Sequence, residues 1–230
     1  MAERSLTRRG DRLYTYEEPL RFYGFEIGRI ATVIELSSGG LLVHSPAELT
    51  PAFRRGLEEL GEVRFVVSAS KLHGHRYMEQ YREAFPDVEL FAAPGLDGRR
   101  TDLTFDGLLG DVPDPRWAPD LDQVAILGHR FMTEIAFFHR PSRTVILGDV
   151  GYHIGEDAPL KTRLMARVLG MYGRVGPPLD FRLTISNEST FRRSMRDVLA
   201  WDFDRVIPGH GDVIETGGKQ AVLDGFDWLW

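Results

Sequence analysis

The chain of 230 residues contains no cysteine, which excludes disulfides and thiolate-rich zinc sites and leaves His, Asp, Glu and water as the ligands for any metal. Lysine is scarce: Lys71, Lys161 and Lys219 stand in a cation set that is otherwise arginine. The formal charge of −6 argues against a protein that displaces counterions from nucleic acid phosphates. The arginine pairs at 54–55, 99–100 and 192–193 are dispersed and read as solvated helix and loop charge. No apolar run approaches the roughly 20 residues of a membrane span, and Met1 to Tyr16 is polar and Arg-rich, without the apolar segment of a signal peptide. A cytoplasmic protein with no membrane and no nucleic-acid partner is therefore expected. No G-x-G-x-x-G follows a strand and no G-x-S-x-G is present, so neither dinucleotide binding nor a serine-hydrolase elbow is expected.

The sequence does hold enough apolar residues, 43% against 27% charged, for one sizeable core, and residues 1–230 read as one domain. Residues 1–28 form a lead-in whose aromatic and acidic part, from Tyr14, is expected across a sheet edge. Ile30–Leu36 and Leu41–His44 predict two antiparallel strands around a Ser-Ser-Gly-Gly turn. Thr50 as N-cap, Pro51 in the first turn and Gly61 as stop predict a helix between them. Strands are expected at Val63–Ser68, Val88–Ala92, Val124–Leu127, Ile135–His139 and Thr144–Leu147, and helices at about His75–Phe85, Pro159–Leu169, around Phe191–Leu199 and at Gln220–Trp230. In the Pro159 helix, Leu160, Leu164 and Val168 recur on one face, the periodicity of a core-facing stripe. Residues 94–122, rich in Gly, Pro and Asp, form a candidate rim or lid anchored by Leu103, Phe105, Leu108 and Trp117. Trp228 and Trp230 near the terminus are candidates for a homodimer contact.

Three segments carry candidate chemistry. Leu147-Gly148-Asp149 and Ile207-Pro208-Gly209-His210-Gly211 each put a potential ligand on a glycine turn after a short β-branched run, the way a rigid strand end presents a side chain to a cleft. Ser70-Lys71-Leu72-His73-Gly74-His75 follows a third such run. Two imidazoles and a carboxylate from three strand ends suggest a divalent metal site.

This order of segments, from about Arg29 to His210, resembles the metallo-β-lactamase superfamily, and within it a branch with a degenerate metal motif that carries phrases such as Leu42-Val43-His44-Ser45-Pro46 and Phe138-His139-Arg140-Pro141-Ser142-Arg143-Thr144. The resemblance implies a four-layer αββα sandwich with its cleft along one edge. The superfamily pattern H-x-H-x-D-H fits here in two registers. Beginning at His73 leaves too little chain for a helix before Pro86. Beginning at Ser70 puts Ser70 and Leu72 at the first-site histidines, Gly74 at the Asp and His75 at the last histidine, with Arg130, next to His129, at the third first-site histidine. In this preferred register the resemblance implies that the first metal site is dismantled, while His75, Asp149 and His210 keep three of the four ligands of the second.

The function expected from that resemblance is a metal-dependent hydrolase acting on an ester, thioester, lactone or similar small acyl substrate. It would use one divalent metal at His75, Asp149 and His210, zinc first, with iron or manganese as alternatives. Lys71 is a candidate catalytic charge beside the emptied site. Glu134 is a candidate replacement ligand, general base or partner of a ligand, and His73, His129 and His153 are candidate pocket residues. Two other readings stay open: a non-catalytic, ligand-sensing protein that has lost its metal, and a mononuclear iron oxidoreductase, permitted by two His and one carboxylate.

Overall fold

The computed structural model describes residues 5–72 and 74–230. Strands β1 (Thr7–Gly10), β2 (Leu13–Glu18), β3 (Arg21–Phe22), β4 (Phe25–Glu26), β5 (Arg29–Glu35) and β6 (Leu41–His44) are followed by helix α1 (Pro51–Leu60), β7 (Val63–Ser68), α2 (Met78–Ala84), β8 (Glu89–Ala92) and β9 (Gly107–Leu108). The second half runs β10 (Leu121–Ile126), β11 (Glu134–His139), β12 (Thr144–Ile146), β13 (Tyr152–His153), α3 (Leu160–Leu169), α4 (Leu179–Arg182), α5 (Glu188–Ala200), β14 (Arg205–Ile207), β15 (His210–Gly211) and α6 (Gly218–Gly225). One sheet has the order β1-β2-β5-β6-β7-β8-β9 and a second the order β10-β11-β12-β14; β3 and β4 form a separate hairpin, and β13 pairs in parallel with β15.

The layering follows from strand periodicity. Along β7, Phe65 and Val67 point into the core between the two sheets, whereas Val66 points outward with Phe53 and Leu57 of α1 and with Met78 and Tyr81 of α2. Along β11, Ile135 and Phe137 face the same central core, and Ala136 and Phe138 face outward with Phe191, Met195 and Val198 of α5 and Val222 of α6. Both faces of each sheet are thus covered, which explains why these strands read as nearly continuous apolar runs. The result is the expected αββα sandwich. Among the described residues no helix is long and apolar enough to cross a membrane.

The predicted α1 forms between its predicted caps: the Thr50 side chain accepts from the Phe53 amide and Gly61 closes the C-terminus. Other expectations change. Leu13–Glu18 is an interior strand between β1 and β5, not a segment laid across an edge. The helix expected from about His75 begins at Met78, because Gly74 takes a left-handed φ of +84° and residues 75–77 turn before the helix starts. The C-terminal helix ends at Gly225, and a short 3-10 turn follows at Asp227–Leu229. In α3 the apolar stripe faces solvent: Leu160 is 63%, Leu164 55% and Val168 79% exposed, while the small side chains of Thr162 and Ala166 are buried. Small residues let the helix approach the β3–β4 hairpin closely, and the Glu26 amide donates to the Thr162 hydroxyl at 3.2 Å. Within 94–122, Leu96, Leu109 and Trp117 are buried, and Trp117 packs edge-on against Phe65 and Phe91.

Candidate metal centre

The ends of β7, β12 and β14 and the start of β11 meet at one edge of the sandwich. β7 leads into Ser70, which bridges Glu134, and the Ile135 amide donates to the Ala69 carbonyl at 2.7 Å. β12 leads into Gly148-Asp149 and β14 into Pro208-Gly209-His210, the two turns tied by the Leu147 amide on the Ile207 carbonyl at 2.9 Å. They approach so closely that a Cβ on Gly209 would lie 2.2 Å from the Gly148 carbonyl oxygen. Only glycine fits there, which is the physical content of the glycine in each motif.

Asp149 and His210 are both buried, with Asp149 Oδ1 3.8 Å from His210 Nε2. That spacing is too long for a hydrogen bond between them. The Ser70 hydroxyl donates to Asp149 Oδ2. His210 Nδ1 donates to the Gly28 carbonyl at 2.9 Å, since a carbonyl can only accept, and this turns Nε2 toward Asp149. Tyr152 stacks on the His210 ring at 4.4 Å and fixes its plane.

Glu134 is fully buried beneath this pair. Its Oε1 accepts from the Gly148 amide at 2.7 Å and its Oε2 from the Val150 amide at 3.0 Å, so the carboxylate clamps the turn that carries Asp149. Burial, and then the charge of Asp149, push its pKa up to about 8, while these backbone amides pull it down. With both oxygens on backbone amides, Glu134 is a positioning residue rather than an exposed base.

The other sequence candidates sit differently. His75 lies against Arg100, whose guanidinium donates to Nδ1 at 3.2 Å and to the His75 carbonyl at 2.7 Å. His129 has both ring nitrogens engaged: Nδ1 accepts from the amides of Phe131 and Met132, and Nε2 donates to the Thr184 hydroxyl at 2.7 Å. It also stacks on Phe181, and burial lowers its pKa. Lys71 and Asp149 both act electrostatically on His129, so the three share one region, and the Lys71 chain runs past Gly95 of the 94–122 segment. His153 Nδ1 donates to the Asp212 carbonyl at 2.8 Å beside the His210 turn. His73 lies outside the described residues. At Gly74 a Cβ would come within 3.0 Å of the Ser45 hydroxyl at positive φ, so an aspartate there would be crowded and strained.

Among the described residues, no three His, Asp or Glu side chains converge to hold a metal ion. Two of the expected donors, Asp149 and His210, do come together, and the second nitrogen of His210 is held by a backbone carbonyl as in metal-binding histidines. This pair offers a divalent ion one carboxylate and one imidazole, and among the described residues of the 70–75 segment Ser70, Leu72 and Gly74 offer neither group. Sequence reasoning missed Tyr152, Arg100 and the Gly28 carbonyl. None lies in a motif, and a backbone carbonyl leaves no mark in a sequence.

Solved structures share the fold. A metallo-beta-lactamase from Pontibacter korlensis superposes with a TM-score of 0.65 at 11% identity, over 99% of each chain. The metallo-beta-lactamase FIM-1 from Pseudomonas aeruginosa, in a mono-zinc form, gives 0.63 at 10% identity, over 99% of this chain and 92% of that one. The rubredoxin oxygen:oxidoreductase from Desulfovibrio gigas gives 0.71 at 10% identity, over 98% of this chain and 61% of that one. The fold is therefore metallo-β-lactamase-like, while identities this low carry no activity with them. No curated protein matches the chain. The family described as "Domain of unknown function (DUF4336)" matches residues 10–174, and the chain belongs to it.

Proposed function

We propose that this chain is a cytoplasmic, metal-dependent hydrolase of small acyl substrates (esters, thioesters or lactones) with a reduced site for one metal. The observation that carries the reading is His210, held through Nδ1 on the Gly28 carbonyl with Nε2 turned to Asp149. Asp149 and His210 would hold the ion. The third protein donor would come from the 70–75 segment, either His75, once released from Arg100, or His73. Oxygen and nitrogen donors with open positions favour zinc, and iron or manganese are the alternatives. When bound, such an ion would supply Lewis acidity to an acyl oxygen and acidify a water toward neutral pH.

The chain's own residues do the positioning. Ser70 and the Glu134-clamped turn fix the Asp149 carboxylate, Tyr152 fixes the His210 plane, and Lys71 supplies a cation for an anionic substrate group. A second reading, a ligand-sensing protein without metal chemistry, is favoured by the His75–Arg100 contact and by Ser70, Leu72 and Gly74 at positions where the superfamily carries ligands.

Metal content separates the two. Protein purified without affinity tag or chelator should hold about one equivalent of zinc, iron or manganese, lost in an Asp149→Ala, His210→Ala double variant whose circular dichroism is unchanged. His73→Ala and His75→Ala, measured singly, would identify the third donor. No bound metal, and none taken up on reconstitution, would overturn the hydrolase reading in favour of the ligand-sensing one. Stoichiometric iron with redox turnover and no acyl hydrolysis would replace it by an oxidoreductase.

A further inference from the structure

Next to the Asp149–His210 pair the structure holds a partly open cavity of about 230 Å3 between the β3–β4 hairpin and α3. Phe25 and Ile27 form one wall, Met165 and Leu169 of α3 another, and Met171 closes the side toward the body. Tyr152 forms the wall toward the candidate site, and its ring is the one stacked on His210 at 4.4 Å. A single aromatic ring therefore separates the cavity from the pair expected to act on substrate. The lining is apolar apart from Asp180. At the mouth, Phe22 is 52% and Tyr23 85% exposed; their rings meet edge to face at 4.4 Å and present a large apolar surface to solvent.

We propose that this cavity takes the uncharged alkyl or aryl chain of an acyl substrate whose reacting carbonyl lies toward Asp149 and His210, a statement about substrate class that rests on the hydrolase reading above. The volume is below the roughly 300–1,000 Å3 of pockets for drug-sized ligands, and at about 30 Å3 per water-sized group it holds on the order of eight carbons. Two methionines in the wall can adjust to chains of different shape. The Asp180 carboxylate disfavours a chain that ends in an anion. The expected substrates are therefore medium-chain or aryl esters, thioesters or lactones, not acetyl compounds or dicarboxylates.

Binding can be read separately from turnover by following the methyl resonances of 13C-methionine protein, purified as above and also stripped of metal, during titration with octanamide, which cannot be hydrolysed by simple esterase chemistry at a useful rate. The Met165 and Met171 methyls, assigned with Met165→Leu and Met171→Leu, should shift saturably while those of Met78, Met132 and Met195 do not. Butanamide, four methylenes shorter, should bind more weakly by on the order of a hundredfold. Leu169→Trp, which fills the cavity, should abolish the shifts, and Leu164→Ser, on the solvent side of the same helix, should leave them unchanged. With p-nitrophenyl esters, kcat/KM should rise from acetate to octanoate, Leu169→Trp should remove the rise, and Leu164→Ser should leave it unchanged. Octanamide binding with no ester turnover would uphold the cavity and end the hydrolase reading. Methyls that do not move, or butanamide that binds as tightly as octanamide, would overturn the cavity proposal even in a protein that hydrolyses acetate.

Discussion

The two halves of the sandwich meet at the candidate site, but they build it differently. On the side of β12 and β14, Asp149 and His210 are fixed by hydrogen bonds to side chain and backbone, and the Ser70 hydroxyl holds the Asp149 carboxylate. Glu134 clamps the Gly148–Val150 turn, the Gly28 carbonyl sets His210, and the two glycine turns touch at a distance that only glycine allows. On the side of β7, Ser70, Leu72 and Gly74 carry neither imidazole nor carboxylate, and His75 is turned to an arginine from a distant loop. Asp149 and His210 stand where amide, carbonyl and hydroxyl contacts leave them little freedom, and among the described residues the 70–75 segment has no counterpart of the Glu134 clamp. A site reduced to one metal is what such an asymmetry supports.

The largest test of the comparison is the clamp. Glu134→Ala would strip two buried amides of their acceptor, and at about 1–3 kcal/mol for each unsatisfied group it should cost about 4 kcal/mol of stability in urea unfolding, with loss of any metal bound at Asp149. Glu134→Gln keeps an acceptor for one amide and should lose about half as much. A change below 1 kcal/mol for Glu134→Ala would mean that the turn stands without its clamp, and the asymmetry would lose its physical basis.

The other end of the same strand gives the next effect and asks what burial of an ionisable group costs away from the site. His139 is fully buried with Nδ1 at 2.7 Å from the Ser142 hydroxyl, and burial lowers its pKa to about 4. Between that value and the ordinary 6.5 the unfolded chain binds the proton and the folded chain does not, so stability rises with pH across this window and falls as pH drops from 6.5 to 4. The shift corresponds to about 3 kcal/mol. The stability difference between the protein and His139→Asn should therefore shrink by about that amount between pH 7 and pH 4. A difference independent of pH would mean that His139 binds its proton equally in the folded and unfolded chain and that burial does not lower its pKa.

Much of this architecture was legible in the chain. Thr50 and Gly61 bracket α1, the β-branched runs mark the strands, and the glycine turns at 148 and 209 pointed to Asp149 and His210 because a strand end followed by a tight turn constrains a side chain locally. What could not be read depends on distant partners. Arg100, 25 residues away, decides where His75 goes. The α3 stripe has core periodicity, yet it faces water because Thr162 and Ala166, not the leucines, allow close packing on the hairpin. Periodicity shows that a face is apolar; it does not show what covers it.

Glycine substitutions compare the two halves directly. Gly209→Ala forces the 148 and 209 turns apart and should cost about 2 kcal/mol through overpacking, with weaker metal binding. Gly74→Ala, in the half without the clamp, pays mainly the positive-φ penalty of about 1 kcal/mol. Equal costs would erase the distinction between the halves.

The smallest effect carries the finest distinction. Arg100 holds His75 and is also paired with Asp102, whose carboxylate is 57% exposed while the arginine side chain is 16% exposed, and a pair open to solvent on one side contributes little to stability. Arg100→Ala should therefore barely move the melting temperature. If His75 is the third donor, releasing it from the guanidinium should tighten metal binding, because a cation beside an imidazole opposes a second cation on the same ring. If His73 is the donor, affinity should stay the same. A drop in affinity would mean that Arg100 orders the 70–75 segment for the metal, and the β7 side would then have a clamp of its own, a guanidinium gripping a carbonyl where the β12 side has a carboxylate gripping amides.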